Sequence, residues 1–504
     1  MKKQQLKTII LAVCMLASFF VKAQNMHGLA FGGYSGISSA FVNPALMTGT
    51  KVYLDVSFLG ADAFLQNNMY YFPPEYKTIW NLFNTRGYLI NEGGEFIYDR
   101  TYNYFNNKRN KYLTTNEIIS GPSAMLQKGK HAFGISTALR SVHTANNFPY
   151  QVPIVIYQGT FNDFHYINFN DYNYSFVSMS WGEIGFSYAI DFYEDNNNKL
   201  TVGATAKLLL GYEGTYIAIN NANYVFTGYN AVNIINLNSE IAYSLPIGYE
   251  DLDENSIIDF GSSPIVKGFG QGLDIGLVYT KTESKISPVS SRRLCAQPYQ
   301  PYKYRIGFSI MDIGGLTFNK KAAVQSFTDV SKYWQEFDTI GFHGVNSFMG
   351  MLSEVFYGDS SAAYSGNKFR IGLPTKISLQ FDYKIKETFF ISAIWTQPIQ
   401  INLRSLYSVP LISVVPRFEK NYVGISLPVS LYNYRQPVIG LAVRFYSVTV
   451  GTEMLNSWFG FGDLTGVDVY FSFKLSLEKG RCNISNKGAC YNSDFGRKGK
   501  RIKP

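Results

Sequence analysis

Charge is scarce in this 504-residue chain: Asp, Glu, Lys and Arg make up 16% of it, where about 25% is usual for soluble domains. Histidine (five residues) and cysteine (four) are rarer still. After the first 23 residues no apolar run reaches the length of about 18 that a helical span needs, so helical membrane crossing is excluded. No H-E-x-x-H, G-x-S-x-G or P-loop occurs, which removes the commonest signatures of zinc peptidases, serine hydrolases and nucleotide hydrolases. "GFGQG" at 268–272 lacks the last glycine of the dinucleotide fingerprint and opens a strand, so it reads as a close-packed strand entrance.

Aromatics are abundant instead: 39 Phe and 38 Tyr bring the aromatic share to 16%. Low charge with many Tyr, Phe and Gly suits a barrel wall that faces lipid between aromatic girdles. The start of the chain reads as an export signal. "MKKQQLK" is a basic region, "TIILAVCMLASFF" an apolar run, and "VKA" a small-residue cleavage site ending at Ala23. Cys14 lies in that run and would leave with it; Val13 makes "LAVC" a poor lipoprotein site.

The net charge of +9 is concentrated at the two ends. Lys2, Lys3, Lys7 and Lys22 belong to the leader. Lys479, Arg481, Lys487, Arg497, Lys498, Lys500, Arg501 and Lys503 crowd the tail against Asp494 alone, which leaves residues 24–478 at −2. Nucleic acid is therefore not an expected partner. Cys482 and Cys490 share the tail, and an oxidising compartment permits a disulfide between them, with two free thiols as the alternative. Cys295 is left over. No cofactor or metal set is apparent.

From residue 50 to 478 the pattern alternates with period 2. In "HAFGISTALRS", Phe133, Ile135 and Leu139 share one face, with Gly134, Ser136, Ala138 and Arg140 on the other. In "GVDVYFSFKLSL", Val467, Val469, Phe471, Phe473 and Leu475 oppose Asp468, Tyr470, Ser472 and Lys474. Many of these strands run past the ~5–6 residues usual in soluble sheets and match the ~9–11 needed to cross a bilayer tilted. Fourteen can be placed (12–16 bracket the count). Four long connections at 60–116, 143–175, 213–268 and 315–369 fall on one side, and mostly tight turns on the other. That asymmetry predicts an all-β, antiparallel, up-and-down transmembrane barrel with its turns in the periplasm. Only 282–302 departs from it, a long stretch on the turn side.

The reading divides the chain into a leader at 1–23, a plug at 24–49, a barrel at 50–478 and a basic periplasmic tail at 479–504. Pro44 fixes its own φ and biases Asn43 away from the helical region, so Asn43-Pro44-Ala45 is expected to dock as a rigid corner against the wall. A plain turn feeding the first strand is the simpler alternative. The polar face, assigned to the lumen, carries Asp55, Glu183, Asp191, Asp274, Asp382 and Asp468 against Arg140, Lys207, Arg305, Lys376, Arg417, Arg444 and Lys474. Such a balance predicts ion pairs across a filled interior, since buried charges are normally paired. A wet, weakly selective channel is the competing expectation. His143 and His165, assigned to one outer loop near Asp163 and Asp171, read as solvated rather than catalytic histidines.

The segments "YSGISSAFVNPALM", "GPSAMLQKGKHAFGISTALR", "GFGQGLDIGLVY", "RIGFSIMDIGG" and "LPTKISLQFDY" resemble a Bacteroidota family of uncharacterised outer-membrane barrels. More distantly, the "NPA" corner ahead of an alternating barrel resembles the long-chain fatty-acid transporter (FadL-like) superfamily. The resemblance implies the outer membrane of a Gram-negative bacterium and transport of small hydrophobic molecules, with Asn43, Pro44 and Ala45 the positions carried over. The alternative is a structural or assembly subunit of an outer-membrane complex; an enzyme is the third reading. Expected partners are outer-membrane lipid, a hydrophobic small-molecule cargo, and an outer-membrane or periplasmic protein.

Overall fold

The computed structural model describes residues 27–73, 102–158, 164–246, 264–286, 294–337 and 344–480. The leader with its cleavage site, and the tail beyond 480 with Cys482 and Cys490, lie outside them.

Alternation makes strands, and pairing the first strand with the last closes them. Val52–Asn67 pairs antiparallel with Gly466–Glu478, from Val52 opposite Glu478 to Gln66 opposite Gly466. Its other edge pairs with Lys111–Ser120 and Ser123–Lys128, which together form the second stave. Then come His131–Phe148, Asn168–Asp195, Asn198–Gly228, Gly268–Thr282 and Tyr302–Phe318. The circuit continues through Phe369–Gly372 with Lys376–Lys384, Phe389–Pro398 and Leu411–Glu419. Val423–Ser426 with Val429–Tyr432, Gln436–Ile439 with Leu441–Phe445, and Val448–Thr452 complete it. The result is a closed fourteen-stranded antiparallel barrel. Three of the interruptions inside staves carry a proline, Pro122, Pro374 or Pro428, which has no N–H for the ladder.

The outward face is what a bilayer requires. Phe133, Ile135, Leu139, Phe186, Leu208, Leu277, Ile306 and Leu379 are each 40–52% exposed, which in water would leave an apolar band far larger than soluble proteins carry. Tyrosines gather at the tight-turn end: Tyr188 meets His131 at 2.8 Å, and Tyr422 lies 4.7 Å from Tyr446. Wall residues pointing inward are small or charged, among them Ser136, Thr205, Ser309, Ser378, Ser413 and Ser472, all buried.

Strand extends well into three of the expected long connections. Asn168–Asp195 and Asn198–Gly228 continue past the barrel together, from Ser180 opposite Glu213 up to Asn168 opposite Val225. Ala231–Ser244 joins the upper half of the second, and Ala323–Gln335 adds beyond it. Helices Gln151–Gln158 and Val345–Tyr357 cover this raised sheet over a core that includes Phe169, Phe226, Phe327, Met349 and Leu352. Beyond the bilayer neither face of a strand needs hydrocarbon, so the contrast between faces fades and "NFNDYNYSF" reads as loop. His143 consequently lies inside the strand His131–Phe148, and His165 in a single bridge to Phe226, rather than in one shared loop.

Candidate functional site: the plugged lumen

Residues 27–49 enter the barrel from the tight-turn end and touch staves around its circumference. The segment is a short helix, His27–Ala30, followed by two 3-10 helices, Gly36–Phe41 and Pro44–Gly49. Asn43 starts the second with an extended backbone, and its Oδ1 accepts the Ala45 N–H at 3.0 Å. Its Nδ2 faces the carbonyls of Leu277 (3.3 Å) and Phe308 (3.2 Å) and donates to Gln380 Oε1 at 2.9 Å. Gln380 in turn donates to Ser309 and Ser378, and Ser309 to the Val42 carbonyl. The approach is so close that a Cβ on Gly276 would stand 1.9 Å from Asn43 Oδ1, and one on Gly203 2.5 Å from the Ala45 nitrogen. The wall therefore needs glycine there.

Charged wall residues hold the remaining plug backbone. Asp55 accepts the Ile37 N–H at 2.8 Å, and Glu419 the Gly33 N–H at 3.1 Å. Lys474 donates to the carbonyls of Tyr34 and Ser35 at 2.6 and 2.8 Å, and Arg444 lies 4.3 Å from the Tyr34 ring. Asp191 accepts from Thr48, Thr201 and Lys199. Asp382 binds Arg305 at 2.5 Å and Arg417 at 2.8 Å, and also accepts from Tyr302 and Ser392.

Above the plug the lumen is tiered, and the tiers follow from the alternation. Along Asn198–Gly228 the inward positions run Gly203, Thr205, Lys207, Leu209; along Gly268–Thr282 they run Gly276, Asp274, Gly272. The same ascent takes Gly134 through Arg140 to Val142, and places Glu183 below Trp181. A glycine tier thus faces the plug, an ionic tier lies above it, and an apolar tier above that.

The ionic tier centres on Asp312. It takes Arg140 at 3.0 Å and Lys207 at 2.6 Å; Arg140 also meets Glu183 at 3.3 Å, and Lys207 meets Asp274 at 2.8 Å. Lys376 lies within electrostatic reach of Asp312. The apolar tier contains Trp181, Leu209, Tyr216, Leu316, Phe318, Phe369, Ile371 and Leu373, with Leu406 from the connection after Pro398.

The alternation left Asp312 off the polar face because it sits on a bulge, with φ of +56° and a register shift opposite Leu273 and Ile275. A bulge turns two successive residues to similar directions; "MDIGG" was its available signal. Asp468 lies apart from both cationic groups. It is buried with Asp62 and Glu453, and its side chain accepts the Glu453 N–H.

At the tight-turn mouth the 282–302 stretch acquires a role. Gln297 donates to the Gln127 carbonyl at 3.0 Å and accepts the Gly129 N–H at 2.7 Å. Cys295 is not a leftover thiol: it is disulfide-bonded, and its carbonyl accepts the Gly480 N–H at 2.7 Å. Lys51 sits among the rings of Tyr34, Tyr299 and Phe390 at 5.1–5.7 Å. Lys479 donates to Thr50 O at 2.7 Å; burial, with Lys199 nearby, pushes its pKa down to about 7 against the pull of Asp191.

His143 is held between two serines of the neighbouring strand positions. Its ring nitrogens face Ser178 at 2.7 Å and Ser141 at 3.1 Å, so hydroxyls rather than a carboxylate orient it. Among the described residues no group of three or more His, Cys, Asp or Glu is arranged to hold a metal.

Residues 44–453 match the family of unknown function DUF5723. No curated protein matches the sequence. Among solved structures, a TodX deltaS2S3 mutant titled a monoaromatic hydrocarbon channel aligns at 11% identity over 88% of this chain and 95% of its own, with a TM-score of 0.40. The P. putida toluene transporter TodX aligns at 9% identity over 88% and 95%, TM-score 0.38. A Pseudomonas aeruginosa FadL homologue aligns at 12% over 89% and 94%, TM-score 0.37. Likenesses this distant assign no cargo.

Proposed function

The chain belongs to the DUF5723 family, and we propose that it is an outer-membrane barrel that takes up a small apolar molecule while barring water-filled passage. The observation that carries this reading is the order of the tiers. The tier on the loop side is apolar and packed shut, with Trp181, Leu316, Phe318 and Ile371 buried in one cluster that a solute would have to part. Beneath them lie the Asp312 ion pairs and then the plug. Apolar surface gains by leaving water at about 25 cal/mol per Å², whereas a hydrated ion would have to break paired, buried charges. The turn side, where the plug enters, faces the periplasm.

The test is binding plus conductance on the purified protein in lipid. Toluene and a long-chain fatty acid are titrated against Trp181 emission in a variant whose other four tryptophans are replaced by phenylalanine, and single-channel current is recorded in planar bilayers. Quenching that Leu316→Asp abolishes, with the barrel folded and no steady current, is the expected result. Stable large currents, or no response to either ligand, would overturn it. The raised sheet over the filled lower lumen favours a second reading, a subunit of a surface complex. Affinity purification from solubilised outer membranes would support that reading with a stoichiometric partner.

A further inference from the structure

A groove of about 550 Å³ opens on the lipid side of the wall, at the loop-side edge of the apolar belt. Register makes it one continuous patch. Leu208 lies opposite Gln271 and Gln271 opposite Gly315; one step higher, Phe269 lies opposite Thr317 and Thr317 opposite Arg370. One flank is therefore leucine and phenylalanine, the other hydroxyl and guanidinium, with the Gln271 amide between them.

Gly315 makes the notch. A Cβ there would stand 2.7 Å from the Ile371 carbonyl and 2.9 Å from Arg370 Nε, so the guanidinium stem lies across the bare backbone. Arg370 is exposed and has no ion-pair partner among the described residues. Lys320, Lys321 and Lys368, adjacent in the chain to these strand ends, are exposed as well, and neither 313–326 nor 364–376 contains an acid. The height is set by the tyrosine girdle. Tyr279 marks the lower edge of the same strand, and the chain from there to Phe269 climbs about 25 Å at ~3.3 Å per residue and a tilt near 40°. That spans the whole apolar band, so Arg370 sits at headgroup level in the far leaflet.

We propose that this groove seats a phosphate-bearing lipid of that leaflet, its acyl chain along Leu208 and Phe269 and its phosphate against Arg370, with Gln271 and Thr317 as neutral partners. Guanidinium offers phosphate two parallel donors, and an apolar flank beside an unpaired cation matches an anionic amphiphile in both parts. The seat is independent of what the lumen carries.

The experiment is native mass spectrometry of the full chain in detergent, titrated with dipalmitoyl phosphatidic acid, with dipalmitoylglycerol and with inorganic phosphate. Phosphatidic acid should stay bound at activation energies that strip dipalmitoylglycerol, and inorganic phosphate alone should not bind. Arg370→Ala should lower phosphatidic acid retention about tenfold (~1.4 kcal/mol by the usual conversion), Arg370→Lys should keep part of it, and Thr317→Trp should fill the groove and lose it. Lys420→Ala, at the opposite end of the barrel, should change nothing. Retention unaffected by Arg370→Ala, or equal for the two lipids, overturns the proposal. So does binding of inorganic phosphate at the same concentrations, which would mark a simple anion site.

Discussion

Asp382 and Asp62 are both buried carboxylates on the inner wall, yet their surroundings differ in sign. Asp382 is flanked by two guanidinium groups and two hydroxyl donors. Asp62 has Asp468 and Glu453 as its charged neighbours. Removing one partner of a buried ion pair leaves an uncompensated charge and costs about 3–5 kcal/mol; relieving like-charge crowding does not. Asp382→Asn is therefore expected to lower the urea midpoint for unfolding from micelles clearly, while Asp62→Asn leaves it unchanged or raises it. Equal losses for the two would contradict the ionic account. The alternation identified Asp55, Arg140, Glu183, Lys207, Asp274 and Arg417 as one face. It could not say that Arg140 spans to Asp312, because a period-2 pattern assigns faces and not partners.

The plug is the element that fills the turn-side half of the lumen. Proline and asparagine at 44 and 43 marked a rigid corner in the sequence. Its seat, however, depends on Gly203 and Gly276, more than 150 residues away in the chain. Thr48 and Thr201 face each other with hydroxyl oxygens 3.4 Å apart, so the longer C–S bonds and a small side-chain rotation would bring two sulfurs there to the ~2.05 Å of a disulfide. Thr48→Cys with Thr201→Cys should form a disulfide in the membrane-embedded protein, read as a linked peptide pair after proteolysis. Absence of the link under oxidation would mean that residues 44–49 leave the wall. The same scale shows why strands ended where they did: Pro122, Pro374 and Pro428 break the ladder, and the positive φ at Asp312 shifts it.

For the molecule as a whole, closure below and extension above are separable. The ladder that seals the wall beneath the raised sheet ends at Phe318 opposite Phe369. Replacing 320–367 by a short Gly-Ser turn should leave a barrel that still resists detergent and migrates faster before boiling than after. An unfolded, heat-unmodified product would show that the extension is needed for closure. Sequence by itself determined the count of staves, the lipid-facing side and the tight-turn end, because hydrocarbon on one face imposes a contrast that every spanning strand repeats. Tertiary structure alone decided the tier order, the Asp312 centre, the disulfide at Cys295 and the sheet above the membrane. Those features depend on the shear at which fourteen strands close, and on surfaces where no solvent contrast marks one side of a strand from the other.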